Sequence, residues 1–163
     1  MPYGYLNFKL SVSSIFSSRL ILVVVINKLT YINSKTKEIP VHDGVITCPP
    51  YWNIEKYDGN GLDKVKTWDK FLDEYQYIWQ RVIEKGLPHT VYCVVVADFR
   101  CKKHFYDFTF QTEKIFQAHG LIPYDKVILS SKKTTPYRNI AQARKFGYTM
   151  KVHQTLLVYK KTT

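Results

Sequence analysis

Glycine is scarce in this chain, seven in 163 residues. The one close pair, in Asp58-Gly59-Asn60-Gly61, completes no phosphate-loop fingerprint and reads as an ordinary turn. Cysteine is sparser still. Three cysteines, an odd number without metal-site spacing, exclude a disulfide framework and suit reduced thiols in a reducing cytoplasm. His42, His89, His104 and His119 show no ligand spacing either, so no metal is expected. Long apolar runs are also missing. The longest, Leu20 to Ile26, has seven residues, against the roughly 20 that cross a bilayer. No small-residue cleavage site follows it, so it reads as a strand of a soluble protein rather than a signal peptide. Acidic residues disappear from the C-terminal part. From Lys126 to Thr163 there are nine Lys or Arg and no Asp or Glu, within a net charge of +11. Such one-sided charge suits a polyanionic partner, the plain alternative being a solvated basic surface.

What is present reads as one α/β domain with a sizeable core: hydrophobic residues make up 45% and aromatics 15%. Residues 1–18 show no period. Leu20 to Ile26 and Leu29 to Ile32 can pair as a hairpin, so that residues 1–40 form an N-terminal arm with a β-hairpin ahead of a main unit, 41–163. Gly44 to Thr47 is a short strand. Thr67 caps a helix whose stripe is Trp68, Phe71, Leu72, Tyr75, Ile78, Trp79, Val82 and Ile83, with Gly86 as its stop. Val91 to Ala97, continuous and β-branched, predicts a strand buried on both faces. Phe108 to His119 repeats the helical pattern through Phe110, Ile115, Phe116 and Ala118, and Asp125 to Leu129 and Gln154 to Tyr159 read as strands. The alternation predicts a mixed parallel and antiparallel sheet flanked by helices. Between the last two strands, Ser130 to His153 is a long basic loop carrying Lys132, Lys133, Arg138, Arg144, Lys145 and Lys151. Tyr137, Phe146 and Tyr148 are interleaved, a mixture that suits a nucleic-acid backbone and an exposed base.

The chemistry concentrates at Thr47-Cys48-Pro49-Pro50-Tyr51-Trp52-Asn53. Neither proline has an N–H and each fixes φ near about −65°, so the strand must end there. The first proline also keeps Cys48 extended. Carbonyl acceptors are thus held stiffly at the carboxyl end of a strand, where open α/β sheets bind ligands. Flat aromatic faces stand beside them. A flat heterocycle with an exocyclic amine fits such a site.

This stretch resembles the (D/N/S)-P-P-(Y/F) motif of the amino methyltransferases, which methylate cytosine N4 or adenine N6 in DNA. The likeness continues through Thr67-Trp68, through Val94-Val95-Val96-Ala97-Asp98-Phe99-Arg100, and through Lys151-Val152-His153-Gln154-Thr155-Leu156-Leu157-Val158-Tyr159-Lys160, covering about residues 42 to 160. It implies a Rossmann-like sheet, a flipped-out base and S-adenosylmethionine as donor. It further implies that Cys48, Pro49, Pro50 and Tyr51 are catalytic, with the Cys48 side chain and Pro49 carbonyl accepting from the amine. Tyr51 then stacks on the base with help from Trp52, residues 53–66 form a lid, and Asp98 contacts either the donor or a helix end. His153 and Gln154 match a block that borders the active site.

Two departures stand out. Cys48 occupies a place where the family more often has Asp, Asn or Ser, and a thiol is a weak acceptor. The family's D/E/V-x-F-x-G-x-G donor segment is missing, and only 47 residues precede Cys48, too few for the usual three strands. The chain therefore reads as the catalytic and target-binding half of a methyltransferase. Three readings stay open: an enzyme completed by a second chain or by self-association, a non-catalytic DNA-binding or regulatory remnant, and a methyltransferase for an RNA or protein amide. The Trp after Tyr51 and the acid-free tail favour DNA over the third.

Overall fold

The computed structural model describes residues 21–25, 28–32, 38–52, 54, 62–101, 103–130, 137–147, 149 and 153–163. The strands are β1 (Ile21–Val25), β2 (Lys28–Ile32), β3 (His42–Thr47), β4 (Gly86–Val96), β5 (Phe99–Cys101), β6 (His104–Tyr106), β7 (Leu121–Ser130) and β8 (His153–Lys161). The helices are α1 (Trp68–Lys85), α2 (Phe108–Ala118) and α3 (Tyr137–Phe146), with a 3-10 turn at Leu62–Lys64. Six strands form one sheet in the order β2-β1-β3-β4-β8-β7, and β5 and β6 form a separate hairpin. Among the described residues only β3 and β4 pair in parallel. Every other strand pair of the large sheet among the described residues is antiparallel, including β1–β2 and β1–β3. This is the α/β architecture that the alternation of periods predicts.

α1 forms because its ends and its stripe agree. The Thr67 hydroxyl accepts the Lys70 N–H at 3.4 Å, and at the other end Gly86 donates its N–H to the Ile83 carbonyl. From β8, the Lys161 ammonium donates to the carbonyls of Ile83 and Gly86 at 3.0 and 2.8 Å, satisfying the helix's last acceptors. Phe71, Tyr75, Ile78, Trp79, Val82 and Ile83 are buried, while Trp68 and Leu72 are half-buried at the margin.

α1 and α2 cover the same face of the sheet. Trp79 and Phe116 meet edge to face at 4.7 Å, and both lie against Tyr92 of β4, with Tyr159 of β8 behind Phe116. Val45, Tyr92 and Tyr159 stand in register across three strands on that face.

Three expectations need correction here. The buried stripe of α2 runs through Phe108, Thr112, Ile115 and Phe116, whereas Phe110 is 55% exposed and Ala118 is exposed. Phe110 lies about 200° around the helix from Phe108 at roughly 100° per residue. β4 is not buried on both faces: Thr90, Tyr92, Val94 and Val96 are buried, but Cys93 and Val95 are half-buried and Val91 is 36% exposed. With Leu156 and Val158 of β8 and Val127 and Leu129 of β7 they make an apolar, half-open sheet face opposite α1 and α2. Finally, the stretch read as a loop between β7 and β8 contains α3. Its sequence, YRNIAQARKF, lacks the dense apolar stripe by which a helix is recognised.

The β4 start holds two testable details. A Cβ on Gly86 would sit 2.1 Å from the Tyr92 hydroxyl, although the Gly86 φ of −72° suits any residue. That hydroxyl is buried beside Thr90 with no partner in hydrogen-bonding geometry. Gly86→Ala is expected to cost about 1–3 kcal/mol through overpacking, and adding Tyr92→Phe should restore most of it in urea denaturation. A double variant as unstable as Gly86→Ala would contradict this contact as the cause.

His42, 1% exposed, holds its Nδ1 2.9 Å from the Pro40 carbonyl, and its Nε2 is buried with no partner. Burial holds the ring's pKa below its usual 6.5, with Lys161 adding slightly while the Pro40 carbonyl and Asp43 oppose. The unfolded chain therefore takes up a proton at His42 before the folded one does. Stability from this group is full above pH 6.5 and is lost as pH falls toward the folded pKa. Denaturation midpoints between about pH 7.5 and 5.5 should decline, and less so in His42→Gln. Equal declines would assign the pH dependence elsewhere.

Candidate active site

β3 delivers Cys48 to Trp52 at its carboxyl end. β4 delivers Ala97 and Asp98 at the neighbouring carboxyl end, because the two strands are parallel with Thr47 level with Val94. β8 runs the other way and so starts at this same edge: Val96 pairs with Thr155, placing Gln154 beside the β3 loop. Three segments spread over more than a hundred residues thus converge on one sheet edge.

Tyr51 is the centre of the arrangement. Its ring is 8% exposed and meets Phe99 and Phe108 edge to face at 5.7 and 5.6 Å. Its hydroxyl accepts from the Gln154 amide at 3.5 Å. Pro49 is buried, Pro50 half-buried, and Cys48 is a half-buried thiol against the core. The Tyr75 hydroxyl, near Thr112 at 3.3 Å, is held protonated chiefly by burial, with a smaller push from Cys48.

Trp52 is as buried as Tyr51. Its indole is 8% exposed, donates to the Val65 carbonyl at 2.8 Å, and packs on Trp68 and Tyr106. It pins the loop to Val65, just ahead of α1. Asp98 is found on a helix end: its carboxylate accepts the Thr109 N–H at 2.9 Å in the first turn of α2, which favours the structural half of the two roles considered for it. Of the stretch expected as a lid, residues 53 and 55–61 lie outside the described residues, while Leu62 of the 3-10 turn is buried in the core and Val65 accepts from Trp52.

Among the basic residues, Arg144 and Lys145 are exposed in the last turn of α3. Lys132, Lys133 and Lys151 lie outside the described residues, as does the side chain of Arg138. The β5–β6 hairpin was not anticipated from the sequence. Its strands have three residues each, too short for a period to register, and the two-residue connection Lys102-Lys103 lacks the Asn-Gly type of turn signal. Yet it carries Phe99, which touches Tyr51, and Tyr106, which touches Trp52. Among the described residues no cluster of His, Cys, Asp and Glu could hold a metal ion, and no helix is long and apolar enough to cross a membrane.

Solved structures share this fold. A Thermus thermophilus protein assigned as a DNA modification methylase, in complex with S-adenosyl-L-methionine, superposes with a TM-score of 0.55 at 22% identity, over 80% of this chain and 52% of that one. The cytosine-N4-specific PvuII DNA methyltransferase gives 0.59 at 13% identity, over 90% of this chain and 53% of that one. The fold is that of these methyltransferases. This chain spans about half the length of each. No family model matches the chain, and no curated protein does. Within the methyltransferase fold, the Cys48–Tyr51 loop, the end of β4 and the start of β8 lie together at one edge of the sheet, and the open face of β4, β8 and β7 lies opposite α1 and α2.

Proposed function

We propose that the chain is the catalytic and target-binding half of an S-adenosylmethionine-dependent DNA amino-methyltransferase of the family its motifs resemble, acting on cytosine N4 or adenine N6. The observation that carries this is the meeting of the proline-locked Cys48–Tyr51 loop with Gln154, in a fold shared with DNA methyltransferases.

The residues present fit an acceptor base. The methyl group comes from the sulfonium donor, and the chain's own part is to present the amine. An exocyclic amine is a weak nucleophile because its lone pair is delocalised into the ring. Acceptors that take its two N–H groups favour the form whose lone pair is available, and holding it in line supplies the rest of the acceleration. In this reading the Cys48 side chain and Pro49 carbonyl are those acceptors, Pro50 fixes the loop, and Tyr51 stacks on the base with Gln154 setting its ring. Since Tyr51 is 8% exposed, base entry requires part of its cover to move. Lys132, Lys133, Arg138, Arg144, Lys145 and Lys151 contact the DNA backbone.

Asp98, the one residue considered for the donor, is engaged with α2, and no glycine-rich donor segment is present. We therefore assign completion of the donor site to a second polypeptide or a second copy, covering the open sheet face around Val91, Val95 and Val127. The missing donor segment equally supports the second reading, a non-catalytic DNA-binding remnant.

Calorimetric titration of S-adenosylmethionine, followed by labelled methyl transfer to mixed-sequence duplex DNA and nuclease digestion, tests the proposal. Saturable binding with N4-methylcytosine or N6-methyladenine in the digest is the expected result. Absence of both, with DNA still bound, would leave the remnant.

A further inference from the structure

The hairpin, which the proposed function leaves unused, meets the end of α3. Phe99 and Tyr106 pair across the hairpin and stack at 5.2 Å on its inner side, against Tyr51 and Trp52. The next pair, Arg100 and Phe105, therefore faces outward. The Arg100 guanidinium lies 5.4 Å from the Phe105 ring centroid, and Phe105 is 48% exposed. At the tip, the Lys103 ammonium stands 5.1 Å from the ring of Phe146, the last residue of α3, and Lys145 reaches the same ring at 5.5 Å. Phe146 is 42% exposed. Neither the hairpin, 99–106, nor α3, 137–146, contains an acidic residue.

Part of this has an ordinary explanation. Cations in a last helical turn favour the helix dipole, which accounts for Arg144 and Lys145. Exposed cation–ring contacts are worth only about 0.5–1 kcal/mol. Lys103 is not explained so. Its φ is +70°, the left-handed backbone that a two-residue hairpin tip commonly fills with Gly or Asn and that costs another residue about 1–2 kcal/mol. A strained lysine whose charge is brought beside another lysine over one exposed ring is an arrangement that local stability disfavours and a polyanion would reward.

We infer that Arg100, Lys103 and Phe105 of the hairpin, with Lys145 and Phe146 of α3, form one surface that grips the backbone of the DNA strand whose base enters the Tyr51 loop. Phe99 links that surface to Tyr51. The inference rests on the DNA reading proposed above and extends it to residues outside the basic stretch 130–153.

The test is fluorescence anisotropy of a short labelled DNA duplex against salt concentration, using the full chain, Lys103→Asn, and Arg100→Gln with Lys103→Asn. Asparagine suits the left-handed tip, so Lys103→Asn should be at least as stable as the parent. The double variant should bind about tenfold more weakly, and its salt slope should be lower by about two. Lys70→Gln, on the exposed side of α1, should leave both unchanged. Unchanged affinity and slope in the double variant, beside a parent that binds, would overturn this surface alone. A parent without salt-dependent DNA binding would overturn it together with the DNA reading. Tighter binding to the matching RNA duplex, lost in the same variants, would reassign the surface to RNA.

Discussion

Phe108→Ala should lose about 3–5 kcal/mol of stability, enough to leave a domain of this size close to unfolded. Phe108 is fully buried and touches Tyr51, Trp68, Phe71, Tyr75 and Phe99. Truncation would open a cavity among rings that belong to three separate segments, where little can collapse to fill it. Phe110→Ala removes the same atoms two residues away from a side chain that is 55% exposed, and should stay within about 0.5 kcal/mol. The check is the urea midpoint of each at unchanged slope. Comparable losses in the two would show that Phe108 is not the hinge of the cluster.

Tyr51→Ala should reduce methyl transfer to DNA, in the presence of whatever completes the donor site, far more than Tyr51→Phe does. Base–aromatic stacking is worth about 1–3 kcal/mol per base by alanine substitution, or roughly 5- to 150-fold in rate or affinity. Phenylalanine keeps the ring and its contacts with Phe99 and Phe108, and gives up only the hydroxyl that meets Gln154 at 3.5 Å. Its loss should be a few-fold, since a net hydrogen bond contributes about 0.5–1.5 kcal/mol. Because Tyr51 is also a core residue, thermal unfolding of both variants has to accompany the kinetics. A folded Tyr51→Ala that methylates like the parent would remove the ring from the mechanism. Equal large losses in both would shift the weight from stacking to the hydroxyl and Gln154.

Much of the scaffold around these residues is written locally. α1 was legible because Thr67, the stripe from Phe71 to Ile83 and Gly86 all specify the same helix. β4 was legible as a β-branched run from Val91, but it begins earlier, at Gly86, where Gly86, Pro88 and a left-handed His89, φ +68°, break that pattern. α2 was found in the right place with half of its buried stripe, Ile115 and Phe116, while Phe110 and Ala118 turned outward and Phe108 and Thr112 inward, a choice made by Tyr75 and Tyr92 on neighbouring elements. The hairpin and α3 were missed for the opposite reason: each is specified by what it packs against, through Phe99 and Tyr106 in one case and buried Ala143 in the other.

By itself the sequence determined the stiff Thr47–Tyr51 turn, because two prolines fix their own backbone wherever they stand. It also determined the main helices and strands, whose caps and periods act within a few residues. Only the tertiary structure decided that Tyr51 would meet Gln154, 103 residues away. It also turned Trp52 inward to bond Val65 and left the sheet face of Val91 and Val127 half-open. Those outcomes depend on strand order and register, which are settled by the burial of whole faces together and not by any short stretch of chain.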